Sequence, residues 1–212
     1  MMTCSVDLNN KDLDISFYVF KPTVFMDSNS FPYSLRILVV YKALYLGAYM
    51  EIYVMSCNQI IWYGAWQKRS SDEKDKLTAN LQSMLTNNIT RMAVLVVEHN
   101  FLDAYAGESR DGSLAVKFST GDIISMNSVV TTTKDLNDLC YAVLAIFRSR
   151  FPKTEGITSG LCMKGQCLPR VVCIHVWQSL QFCYSWILSS DHRKWMMPYL
   201  ERFSTEMKHD IF

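Results

Sequence analysis

The densest group of ligand-type side chains in this 212-residue sequence is Cys162, Cys167, Cys173 and His175. Three thiols and an imidazole are the donor set of a structural zinc tetrahedron. The first interval, C-x4-C, is one that zinc sites tolerate. Cys173 and His175, however, are separated by a single residue, and no paired CxxC occurs. Zinc therefore stands as an alternative to buried thiols beside a loop. A second group, Glu98-His99-Asn100 with Asp103 and Glu108, follows the apolar run Met92 to Val97. Glu98, His99 and Asp103 form an alternative active-site cluster, because a histidine oriented by a carboxylate at the carboxyl end of a buried strand can act as a base. A solvated strand exit accounts for the same residues. No nucleophile elbow, kinase signature, GxxxxGK[ST] or GxGxxG string is present, so no catalytic residue is assigned and no cofactor is expected.

A third group carries binding potential. Trp177, Trp186, Trp195, Met196, Tyr199, Phe203 and Met207 place aromatic and thioether side chains at helical spacing. Such residues either fill a core or anchor a partner. The formal charge is +1, and the longest basic cluster, Lys68-Arg69, has only two charges, which argues against a nucleic-acid partner. Half the residues are hydrophobic and only 19% are charged, below the roughly 25% of ordinary soluble domains, so some apolar surface is expected to be covered by a protein partner or a second copy.

These features lead to an expected role as a noncatalytic interaction or assembly subunit, an adaptor within a homo- or hetero-oligomer. The alternatives are a small hydrolytic or transferase-like enzyme with its site near His99, and a peripheral membrane protein. Val171 to Leu188 lacks a formal charge, but His175, Gln178, Ser179, Gln181 and Ser185 make a spanning helix costly. The polar, acidic opening residues lack the pattern of a secretory leader, and the seven cysteines are odd in number; an intracellular location, cytoplasmic or nuclear, is expected.

Positioning these groups requires an α+β fold: an antiparallel or mixed sheet with amphipathic helices on one face and an additional helical C-terminal block. Strands are expected at Leu13 to Phe25, at Met50 to Ser56 and Gln59 to Ala65 as a hairpin around Cys57-Asn58, and at Met92 to Val97, with a helix near 33–46 and another from Pro169 to about Ser189. Ser70 and Glu73 match a capping box, and Leu77, Leu81, Met84 and Leu85 follow as one stripe. Phe101 to Asp111 reads as a loop, and Leu114 to Phe118 with Ile123 to Met126 as a hairpin. Thr132 and Asp135 begin a second helix whose stripe is Leu136, Leu139, Cys140, Val143, Leu144 and Phe147. Residues 1–152 are expected to form the α+β domain, the glycine-bearing 153–169 a linker or excursion, and 170–212 a helical block packed on that domain.

Overall fold

The computed structural model describes residues 3–7, 12–22, 48–56, 59–67, 70–89, 94–113, 115–119 and 121–211. The helix expected near 33–46 and the turn at 57–58 lie outside them. The fold is α+β, built from antiparallel strands and amphipathic helices, with further helices near the C-terminus. Its contacts divide the chain into two compact units, one of residues 12–101 and one of residues 1–11 with 102–212, so the division does not fall at the expected boundary near 152.

In the first unit, β2 (Leu13–Pro22), β3 (Ala48–Ser56) and β4 (Gln59–Gln67) pair antiparallel with β4 in the middle. Ser56 lies opposite Gln59, as expected for a hairpin. Helix α1 (Ser71–Ile89) follows. Glu73 reaches back to the Ser70 amide at 3.0 Å, and the Ser70 hydroxyl donates to the same carboxylate at 2.8 Å. Leu77 is buried, and Lys74 lies 3.1 Å from the buried carboxylate of Asp14 on β2, fixing helix to strand.

The second unit contains β1 (Thr3–Asp7), β6 (Ala115–Ser119), β7 (Ile123–Val130), β8 (Ile157–Gly165), β9 (Arg170–Trp177), β10 (Glu206–Ile211) and the C-terminal part of β5 (Val94–Ser109). The order is β10-β7-β9-β8-β5, every pair antiparallel, while β1 pairs with β6. Strand β9 explains this order. Val171, Val172, Cys173, Ile174, Val176 and Trp177 are all buried, so both faces are covered and both edges must find backbone partners away from water. Strands β7 and β8 supply them.

This arrangement corrects several sequence expectations. The presumed excursion at 153–169 contains most of β8, and the presumed helix from Pro169 to Ser189 is β9 followed by the short α3 (Leu180–Ile187). An uncharged run suits a buried helix or a central strand equally, and the β-branched Val171, Val172, Ile174 and Val176 favour the strand. The expected loop after Phe101 continues β5 to Ser109, with Leu102 fully buried. Strands β6 and β7 do not pair with each other; β6 joins β1, and β7 lies between β9 and β10. Met207, placed in a terminal helix by its spacing, lies opposite Val129 on β10.

Helix α2 (Leu136–Arg150) closes one face of this sheet with the expected stripe: Leu139, Cys140, Val143 and Phe147 are buried. Thr132 Oγ1 accepts the Asp135 amide at 3.2 Å and donates to its carboxylate at 2.6 Å, forming the anticipated local link one turn before the helix. A 3₁₀ turn (Phe151–Lys153) then leads into β8. Arg110 fastens this connection: its Nε donates to the Ile157 carbonyl at 3.0 Å and one terminal nitrogen to the Pro152 carbonyl at 3.1 Å, while the other donates to the Thr154 carbonyl.

Phe147 and Phe151 stack with ring centroids 5.0 Å apart, directly over Gly160 of β8. A Cβ at position 160 would stand 2.7 Å from the Phe147 ring and 3.2 Å from that of Phe151. Gly160→Ala is therefore expected to lift the aromatic pair from the sheet and destabilise the protein by about 1–3 kcal/mol, the usual cost of overpacking. Urea denaturation monitored by circular dichroism checks this through the midpoint, with an unchanged slope expected.

Candidate functional site

A cavity lies within the second unit, between the α2 face of the sheet and the helices. The space open to the centre of a water-sized sphere is about 50 Å³, room for a few water molecules, and the cavity is open to solvent on one side. The sheet supplies Asn127 and Val129 from β7, Cys162 from β8, and Cys173 and His175 from β9. Alternation along the strands explains the selection, since Cys173 and His175 lie on one face of β9, and Asn127 and Cys162 are paired opposite Cys173. Val143, Phe147 and Arg150 come from α2, Phe151 and Thr154 from the turn that Arg110 fastens, and Trp186 from α3. A π-helical turn (His192–Met196) and α4 (Met197–Glu201) contribute Met196 and Leu200.

Most of this lining is apolar, which concentrates the possible chemistry in a few groups. His175 is a ring on a hydrophobic wall, 6.2 Å from the Phe147 ring and 6.4 Å from that of Trp177. Burial, followed by the nearby His209 and His192, lowers its pKa from 6.5 to about 4, so it is a neutral imidazole at pH 7. His192 and His209 are lowered in the same direction, again by burial first. The Nδ1–H of His209 donates to Asn127 Oδ1, which ties a cavity residue to the edge strand β10. Arg150 forms a 2.6 Å ion pair with Asp191, joining the end of α2 to the start of the last helical segment.

The sequence-derived candidates are distributed differently. Cys162, Cys173 and His175 reach the same cavity, whereas Cys167 is exposed in the turn between β8 and β9. Among the described residues no group of at least three His, Cys, Asp or Glu side chains could hold a metal ion. The alternative four-ligand zinc set is not assembled among the described residues, because the β8–β9 turn carries Cys167 to an exposed position away from the paired strands. Glu98 and His99 lie on β5, their side chains outside the described residues. Asp103 accepts a 2.9 Å hydrogen bond from Gln166, a structural contact along the strand ends.

The proposed interface residues separate as well. Trp177 is 2% exposed and donates to Ser125 Oγ at 2.9 Å; Trp186 and Met196 line the cavity. Phe203 and Met207 are half-buried, while Trp195 is 70% exposed and Tyr199 packs its exposed ring edge-on against Phe203. No helix among the described residues is long and apolar enough to cross a membrane. Sequence reasoning missed Asn127, Phe147, Arg150 and Thr154 as site residues. The alternation of Ser125 and Asn127 within the largely apolar run from Ile123 to Val130 was the available signal.

The three depressed histidines have a stability consequence. Between their ordinary pKa near 6.5 and the lower folded values, the unfolded chain binds protons that the folded chain does not, so stability falls as pH is lowered through this window. His175 alone corresponds to a loss on the order of 3 kcal/mol between about pH 6.5 and 4. Urea midpoints measured across that range are expected to drop, and less steeply in His175→Gln.

Solved structures share this fold at low sequence identity. An anthrone oxidase-like protein matches with a TM-score of 0.71 and 13% identity, over 98% of this chain and 92% of the other. A ferredoxin-fold protein related to antibiotic biosynthesis monooxygenases, from Listeria monocytogenes, matches at 0.54 and 13% identity, over 97% and 96%. The heme-degrading enzyme of Listeria monocytogenes matches at 0.51 and 11% identity, over 92% and 97%. The likeness is one of fold, and it overturns the expected noncatalytic adaptor: the architecture is that of proteins named for oxidase, monooxygenase and heme-degrading chemistry. No curated protein matches the sequence. Residues 100–212, which contain every residue lining the cavity, match the family described as Domain of unknown function (DUF7392). Because this match spans more than half of the sequence, the chain belongs to that family.

Proposed function

We propose that the protein is an oxygen-dependent oxidase or monooxygenase that binds a flat, largely apolar aromatic molecule in the cavity of its second unit. The observation that carries this reading is a neutral imidazole, His175, on the wall of an apolar cavity, in a fold shared with an anthrone oxidase-like protein and a heme-degrading enzyme. The enzymatic alternative raised by the sequence is retained, but its site moves from His99 to this cavity and its chemistry from hydrolysis or group transfer to oxidation.

The lining suits such a substrate. Phe147, Phe151 and Trp186 offer ring faces and edges to an aromatic plane, and Val143, Ile157 and Leu200 exclude water around it. A neutral His175 can accept a proton from a C–H or O–H acidified by conjugation, and the apolar wall then favours reaction of the electron-rich ring system with dioxygen over reprotonation by water. For a benzylic methylene the balance is CH₂ + O₂ → C=O + H₂O: one oxygen atom enters the product and the other leaves with both hydrogens as water. The low pKa makes His175 a weak base, which restricts the substrate to acidic C–H or phenolic groups.

The reading is tested with anthrone and, separately, hemin as probes of the purified protein at pH 6.5. Binding is followed by quenching of tryptophan fluorescence, since Trp186 lines the cavity, and oxidation by oxygen uptake above the protein-free rate. With anthrone, saturable quenching and accelerated uptake are expected. His175→Ala should keep the quenching and lower the rate at least about 10²-fold, the low end of an acid–base contribution. Absence of both quenching and oxygen uptake with either probe would dismiss the proposal.

A further inference from the structure

Cys162 and Cys173 have no part in the oxidation described above, yet they are arranged for chemistry of their own. They stand directly opposite each other on the antiparallel strands β8 and β9, with Sγ atoms 3.0 Å apart. Directly opposed antiparallel residues have Cα atoms about 4.5 or 5.5 Å apart, and both values fall inside the roughly 4.4–6.8 Å that a disulfide spans. Shortening 3.0 Å to the S–S bond length of about 2.05 Å thus needs side-chain adjustment and no displacement of the strands. Both residues line the cavity, which gives a small oxidant a route to sulfur atoms that are otherwise buried.

We propose that Cys162 and Cys173 are a reversible redox pair, a dithiol that a hydroperoxide entering the cavity converts to a cross-strand disulfide. In the first step the Cys173 thiolate, the more exposed of the two, attacks the peroxide: its sulfur bonds to one oxygen, the O–O bond breaks, and water leaves after protonation, giving a sulfenic acid. Cys162 then attacks that sulfur, the S–O bond breaks and a second water departs. The sum is 2 RSH + H₂O₂ → RSSR + 2 H₂O, in which the two sulfurs are oxidised and the peroxide oxygens reduced. The hydrogen bond with Cys173 and then burial hold the Cys162 thiol well above the ordinary thiol range; because the thiolate is the reacting form, closure accelerates as pH rises. Closure would place a disulfide on the cavity wall beside His175.

The experiment treats the full chain with hydrogen peroxide at pH 7 and pH 8.5, blocks remaining thiols with N-ethylmaleimide under denaturing conditions, and maps tryptic peptides without reduction. The expected product links peptide 154–164, which carries Cys162, to peptide 171–193 through Cys173, with Cys183 of the latter still alkylated. Two alkylation sites per chain are lost, the rate is greater at pH 8.5, and dithiothreitol restores both. Cys173→Ala should abolish the link and leave Cys162 alkylated. The proposal is overturned if Cys162 and Cys173 remain alkylated while the exposed Cys167 is fully oxidised, or if the linked peptides join other cysteines. The linkage is read without any aromatic probe, so its failure leaves the oxidase reading standing, and failure of anthrone or hemin to bind leaves the disulfide result intact.

Discussion

A strand without a polar face has to be central. From Val171 to Trp177, β9 presents apolar side chains in both directions, interrupted only by His175, and a strand so composed needs hydrogen-bonded neighbours on both edges and cover on both faces. Its pairing with β7 and β8 places Asn127, Cys162, Cys173 and His175 on one surface. Helix α2 covers that surface through Val143 and Phe147, and the cavity is the space that this cover leaves unfilled. The site is thus a consequence of how a central strand is closed, and its polar members are the few side chains that break an otherwise continuous apolar face.

Closure depends on two local devices of opposite character. Gly160 omits a side chain where the Phe147 and Phe151 rings approach β8, so the helix can lie close to the sheet. Arg110 adds donors where the chain turns from α2 into β8, satisfying three carbonyls with one planar guanidinium. Between them they set the position of Phe151, Thr154 and Ile157, and hence one wall of the cavity. Gly160 is also the residue opposite His175 in the β8–β9 register, and both devices define the space in which His175 is held neutral.

That neutrality has a physical cause distinct from catalysis. Three histidines, His175, His192 and His209, gather in a poorly hydrated region, and each disfavours a positive charge on the others or is disfavoured by burial itself. An imidazole kept uncharged at neutral pH can accept a proton from a conjugated substrate without first releasing one. The Cys162 thiol nearby is held above the ordinary thiol range by its hydrogen bond with Cys173 and then by burial. Burial thus bears on both the proton chemistry and the sulfur chemistry assigned to the cavity.

Local signals in the sequence were sufficient for the α+β class, for the hairpin of β3 and β4, and for the α2 stripe from Leu139 to Phe147, because caps and side-chain periodicity act over a few residues. They also brought Cys162, Cys173 and His175 forward as chemically capable, although for a metal site. What tertiary structure alone decided was the meaning of residues 153–189. Gly160, which read as part of a linker, became the close approach beneath two phenylalanine rings, and a run that read as a helix became the middle of a sheet. Periodicity cannot distinguish these outcomes when both faces of a segment are apolar. The choice rests on which strands, distant in sequence, satisfy its backbone, and the cavity exists only once that pairing is made.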